Sequence, residues 1–178
     1  MQHPLEVNNA KGSGRLLHLC LPHSRLVTGE VFAEPQLQAL LTGPWHTDPK
    51  MRHARHALLL YPSVLPHAAQ DTTAPMLAPS DRPDDSPHLR LIVLDGTWRK
   101  SRKMLHLNPL LQRLPRLSLH DMPASHYLIR KAHRPDQMST LEATCAALVQ
   151  LERNAERFAP LMAAFDGFVG QQRGYAAR

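Results

Sequence analysis

The chain has 178 residues, 43% of them hydrophobic, which suits one globular domain with a sizeable core and argues against a disordered chain. Its formal net charge of +6 and sequence pI near 9.8 favour an anionic partner, nucleic acid first and phosphate-bearing small molecules second; the plain alternative is a soluble protein that happens to be basic. No apolar stretch approaches the roughly 20 residues of a membrane span and the N-terminus lacks a signal-peptide core, so the expectation is a cytoplasmic protein with no membrane contact.

In chain order, the first ten or so residues are polar and read as loose. Lys11-Gly12-Ser13-Gly14 is a flexible lead-in, and Arg15 to Leu21 reads as a first strand. Pro22-His23-Ser24 turns the chain, and Arg25 to Thr28 is a second extended piece. Glu34 to Leu41 has helical spacing, stopped by Gly43-Pro44. Ala57 to Tyr61 is a buried strand closed by Pro62-Ser63. Residues 65–88 are rich in Pro, Asp, Ser and Ala and read as a long loop inside a single domain spanning 1–178.

Leu89 to Leu94 is the central strand, and Trp98 to Leu107 the helix after it, ended near Asn108-Pro109. A short helix at Leu110 to Leu114, a strand at Arg116 to Leu119 and an extended piece at Ser125 to Ile129 follow. A long helix begins at Ser139 and runs to about Arg157, and a last one covers Pro160 to Val169, ending at Gly170. Strands alternating with helices predict an α/β fold, a mostly parallel sheet with helices on both faces.

Cys20 and Cys145 sit in apolar segments outside any CxxC pair, as small buried hydrophobes in a reducing compartment. His53 and His56 are three apart but stand among arginines, which disfavours a metal ion. No metal site is expected.

The chemistry concentrates where the central strand ends, at Asp95-Gly96-Thr97-Trp98. Ligands of parallel sheets bind at the carboxyl ends of the strands. Asp95 has two readings from local sequence: a general base at the sheet mouth, or a turn residue beside a Thr97 cap. Trp98 is a core residue or a stacking surface. On the following helix Arg99, Lys100, Arg102 and Lys103 share one arc, either a phosphate-tracking surface or a solvated face. Ser139-Thr140-Leu141-Glu142 fits a capping box, whose helix start is also a place to hold a ligand oxygen. Tyr127, Arg130 and Lys131 precede it; an arginine there binds a carboxylate or faces solvent. No GxGxxG, P-loop or Gly-x-Ser-x-Gly is present, which counts against a Rossmann dehydrogenase, a nucleotide triphosphatase or a hydrolase.

These residues form a pattern. Asp95-Gly96-Thr97-Trp98 resembles the Asp-x-Thr-Trp signature of the DTW-domain family. Gly14-Arg15-Leu16 with Leu21-Pro22-His23-Ser24 resemble the family's first strand and turn, and Leu59-Leu60-Tyr61-Pro62-Ser63 its second strand and loop. Leu114-Pro115-Arg116, Ser125 to Lys131 and Ser139-Thr140-Leu141-Glu142-Ala143 follow in order.

The resemblance implies a SPOUT-like fold with a C-terminal trefoil knot. It also implies a tRNA-uridine aminocarboxypropyltransferase that moves the 3-amino-3-carboxypropyl group of S-adenosylmethionine to uridine N3, releasing methylthioadenosine. S-adenosylmethionine is then the substrate donor and tRNA the partner; the sequence does not fix the oligomeric state, for which a monomer is slightly favoured. In that frame Asp95 is the catalytic base. Tyr61, Pro62, Ser63, Leu94, Thr97, Trp98, Leu119, Tyr127, Arg130, Ser139, Thr140, Glu142 and Ala143 surround the donor. Arg15, Arg99, Lys100, Arg102, Lys103 and Lys131 meet RNA. Many relatives also carry a cysteine cluster of zinc-binding appearance, which this sequence lacks. An RNA methyltransferase on the same fold and a non-catalytic RNA-binding module are the alternatives.

Overall fold

A computed structural model describes residues 1–9, 12–44, 56–62, 89–119 and 138–176. Its centre is a three-stranded parallel sheet of order β2-β1-β3, formed by β1 (His56–Leu60), β2 (Leu89–Ile92) and β3 (Arg116–Leu117). Register pairs Leu59 with Ile92 on one side and with Arg116 on the other. The architecture is α/β, as expected, but the middle strand is β1 rather than the expected central strand at Leu89 to Leu94, and the strands are shorter than their apolar runs.

Alternation along β1 sends side chains to two cores. Ala57, Leu59 and Tyr61 join Ile92 and Leu94 against α2 (Glu34–Thr42), α3 (Trp98–Leu107) and α4 (Pro109–Gln112). Leu58 and Leu60 join Leu91 and Leu117 on the opposite face, under Ala147 and Leu151 of α5 (Thr140–Glu152). Helices therefore cover both faces. Two buried polar side chains lock the first layer. Arg90 donates to Leu40 O and Gly43 O, both at 2.8 Å, closing the C-terminal end of α2. Asn108 accepts from Phe32 N (2.9 Å) and donates to Met104 O (2.6 Å) and Glu30 O (2.9 Å).

The structure corrects several expectations. Arg15 to Leu21 is not a strand: α1 spans Ser13–Cys20. A short run of leucines does not distinguish strand from helix. Packing decides here, because Leu17 docks on Leu141, Cys145 and Phe165 while Leu19 is left exposed. Cys20 is exposed rather than buried; Cys145 is buried, and desolvation pushes its thiol up to about 11. The opening residues are not loose. Met1 to His3 lie parallel to the end of β2, with Asp95 N donating to Met1 O (2.8 Å) and His3 N to Asp95 O (3.0 Å). On their other side Gln2 bridges Thr28, so the expected extended piece at Arg25 to Thr28 finds its partner there. Gln2, His3 and Glu6 are buried.

The long helix stops at Glu152 instead of Arg157, because Arg153 turns left-handed (φ 53°) and Asn154 Oδ1 accepts from Arg157 N (3.1 Å). The last helix, α6 (Ala159–Ala176), runs past Gly170, since a glycine weakens a helix by about 1 kcal/mol relative to alanine without ending it. His56 opens a strand, so it shares no helix face with His53, which lies outside the described residues. The expected loop at 65–88 and extended piece at Ser125 to Ile129 lie outside them too. Among the described residues no helix is long and apolar enough to cross a membrane.

Candidate active site

The sequence builds the site from the C-terminal end of β2. β2 ends at Ile92; three residues on, Asp95 pairs with Gln2 in an isolated bridge, and the chain then bends at Gly96 and enters α3. Thr97 is the N-cap: its Oγ1 accepts from Lys100 N (3.4 Å). That removes the capping role from Asp95 and leaves its carboxylate for other partners.

Those partners are specific. Thr140, the first residue of α5, donates through Oγ1 to Asp95 Oδ1 (2.7 Å). Gln2 donates through Nε2 to Asp95 Oδ2 (3.0 Å). Each carboxylate oxygen keeps acceptor capacity beyond its one bond. Gly14 of α1 is pressed against the same carboxylate: a Cβ there would sit 2.6 Å from Asp95 Cγ and 3.1 Å from Oδ1. Only glycine allows this approach. Beside them the Met1 amino group donates to Val93 O (2.7 Å); burial lowers its pKa to about 6, and Asp95 pulls it the other way.

Asp95, Thr140 and Gly14 also line a crevice of about 780 Å³ between β2 and helices α1 and α5, with Thr144, His18 and Arg25 further along its wall. Open volume therefore reaches the buried Asp95 carboxylate at the sheet mouth.

On the other side of α3's start, the Trp98 ring stands edge-on to Tyr61, with centroids 5.8 Å apart, and is 48% exposed. Arg116 stacks over the Tyr61 ring at 5.8 Å. Burial raises the Tyr61 phenol's pKa, with Ser101, Arg102 and Arg116 opposing. Ser101 Oγ donates to Trp98 O (3.1 Å) and lies near enough to the Tyr61 hydroxyl to oppose that rise, while Tyr61 Oη makes no hydrogen bond of full geometry. Arg116 Nε is likewise buried and unpartnered. Such orphaned groups cost about 1–3 kcal/mol each.

The start of α5 is closed by its own side chains. Ser139 Oγ accepts from Glu142 N (3.1 Å), and Glu142 Oε2 accepts from Ser139 N (2.7 Å), completing the capping box. Leu141 N donates to Ser13 Oγ (3.3 Å) and Ala143 N to Ser139 O (3.0 Å).

The basic helix divides into two pairs. Lys100 is tied to buried Glu6 and Lys103 to Glu30, both at 2.8 Å. Hydrogen bonds from Lys103 and His3 hold the Glu30 carboxyl below its usual range. Arg99, Arg102 and, on α1, Arg15 are exposed. Leu94 is buried in the core, and Pro62 and Leu119 are half-buried where β1 and β3 end. Ser63, Tyr127, Arg130 and Lys131 lie outside the described residues. Among those described, no group of three or more His, Cys, Asp or Glu side chains could hold a metal ion.

Sequence reasoning missed Gln2, Gly14 and Arg116. Gly14 sits in what reads as a lead-in to a strand, so its place in the first turn of α1 gave no signal. Arg116 stood inside the Leu114-Pro115-Arg116 block without a role.

The match to the DTW domain family covers residues 1–173. The chain belongs to the DTW-domain family. Relatives named "tRNA-uridine aminocarboxypropyltransferase 2" are similar to it. The Macaca fascicularis protein is 27% identical over 158 residues, 86% of this chain and 47% of its own. The Drosophila melanogaster protein is 29% identical over 164 residues, 88% of this chain and 56% of its own. The Mus musculus protein is 27% identical over 158 residues, with 86% and 47% covered. The chain spans about half the length of these curated relatives. No solved structure matches it.

Proposed function

We propose that this DTW-domain chain modifies uridine in tRNA, transferring the 3-amino-3-carboxypropyl group of S-adenosylmethionine to N3. The observation that carries the reading is Asp95. It is a buried carboxylate at the end of a parallel strand, relieved of capping by Thr97, oriented by Thr140 and Gln2, and reached by a crevice. A residue so placed suits a general base. The names of the relatives supply the chemistry it would serve.

The residues present fit a donor of this kind. Tyr61 and Trp98 offer ring surface, and the unpartnered Tyr61 Oη and Arg116 Nε offer buried donors for its polar groups. The donor supplies a carbon activated by the adjacent sulfonium. The N3–C bond forms as the C–S bond breaks, the sulfur keeps the electron pair and leaves in methylthioadenosine, and Asp95 takes the N3 proton. The protein orients and shields the reactants. Arg99 and Arg102 provide phosphate contacts beside Asp95. A SPOUT-like trefoil knot and a cytoplasmic setting belong to this reading.

The test is Asp95→Asn, which keeps the shape and removes the base. Transfer to tRNA falls by at least about 100-fold, the lower end for a general base, while tRNA binding persists. Near-normal turnover contradicts the assignment.

A further inference from the structure

Parallel pairing of β1 with β3 brings Tyr61 and Arg116 onto one sheet face, because Arg116 is registered with Leu59, two residues before Tyr61. Both side chains are 4% exposed. The guanidinium lies 5.8 Å from the Tyr61 ring centroid, and its Nη1 makes one long bond to Pro62 O (3.5 Å). Its Nε makes none, and Tyr61 Oη makes none of full geometry. Among the described residues no carboxylate pairs with Arg116. A guanidinium carries five donors and no acceptor, so a buried one with Nε unpartnered and a single long bond from Nη1 fits an anionic oxygen group that binds in a fork.

Trp98 joins this pair to Asp95 along the chain, although Tyr61, Trp98 and Arg116 do not line the crevice onto which Asp95 opens. It stands three residues beyond Asp95 and forms the exposed wall over Tyr61. The other candidate anion site, the start of α5, has the N–H groups of Leu141, Glu142 and Ala143 already bonded to Ser13 and Ser139.

We propose that Arg116, with Tyr61, binds the carboxylate of the donor's amino-acid arm. This rests on the donor reading above. Holding the carboxylate directs the arm, rather than the methyl group, toward the uridine. It also gives Arg116 and Tyr61 the acceptor they lack.

The experiment is calorimetric titration of the full chain with S-adenosylmethionine, its decarboxylated analogue and methylthioadenosine. The wild-type chain binds S-adenosylmethionine about tenfold or more tighter than the decarboxylated analogue, as a charged hydrogen bond predicts. Arg116→Gln erases that preference and leaves methylthioadenosine binding within about twofold; Arg116→Lys restores part of it. A wild-type chain that binds methylthioadenosine but shows no preference for the carboxylate overturns the subsite alone, whether or not the variants fold. So does an Arg116→Gln chain that keeps the preference and loses tRNA affinity instead, which gives the arginine to an RNA phosphate. If none of the three compounds binds, the donor reading itself fails.

Discussion

Thr140 Oγ1 donates to Asp95 Oδ1 across 2.7 Å, joining the first turn of α5 to the end of β2, 45 residues apart in sequence. Ser139 takes the cap of α5, which leaves the Thr140 hydroxyl to make this bond and hold the carboxylate. Thr140→Val keeps the shape and removes the donor. A hydrogen bond to a charged group contributes about 1.5–3 kcal/mol, so transfer falls by roughly 10- to 100-fold, with tRNA affinity unchanged. Thr140→Ser keeps the hydroxyl and most of the activity. Turnover of both variants on bulk tRNA checks this.

Gly14 makes the second prediction. A methyl group there meets the Asp95 carboxylate well inside contact distance, so α1 or Asp95 must move. Gly14→Ala lowers stability by about 1–3 kcal/mol and lowers transfer as well, despite alanine's better helix propensity. Thermal melting alongside turnover checks it. A variant at least as stable and as active as the wild-type chain contradicts the packing.

How far the sequence shows this site depends on how local the signal is. The stretch from β2 through α3 is legible: an apolar run, a Gly-Thr turn and an amphipathic helix whose observed bounds, Trp98–Leu107, match those expected. The role of Asp95 is not legible there. Whether it caps or serves as a base depends on Thr97 taking the cap and on Thr140 and Gln2 arriving from distant segments. Gln2 is invisible because its strand-like partners, Thr28 and Asp95, lie far along the chain. Arg15 to Leu21 has no clean period of two, and only the docking of Leu17 on α5 and α6 makes it helical.

The third prediction separates the four cations of α3. Arg99 and Arg102 are exposed, whereas Lys100 and Lys103 hold Glu6 and Glu30. Arg99→Ala and Arg102→Ala each weaken tRNA binding and flatten its salt dependence by about one unit of slope. Lys103→Ala changes little, since exposed pairs contribute about 0–1 kcal/mol. Lys100→Ala costs about 1 kcal/mol of stability, because Glu6 is buried, with a smaller change in slope. Filter binding across a salt series, with melting curves, distinguishes the two pairs. Equal slopes for all four variants contradict the division.

The most direct test of the central claim is incubation of the full chain with labelled S-adenosylmethionine and bulk tRNA, followed by analysis of both the nucleosides and the spent donor. We expect 3-(3-amino-3-carboxypropyl)uridine in the tRNA and methylthioadenosine in solution. S-adenosylhomocysteine with a methylated nucleoside, or an unchanged donor with tRNA bound but unmodified, contradicts it.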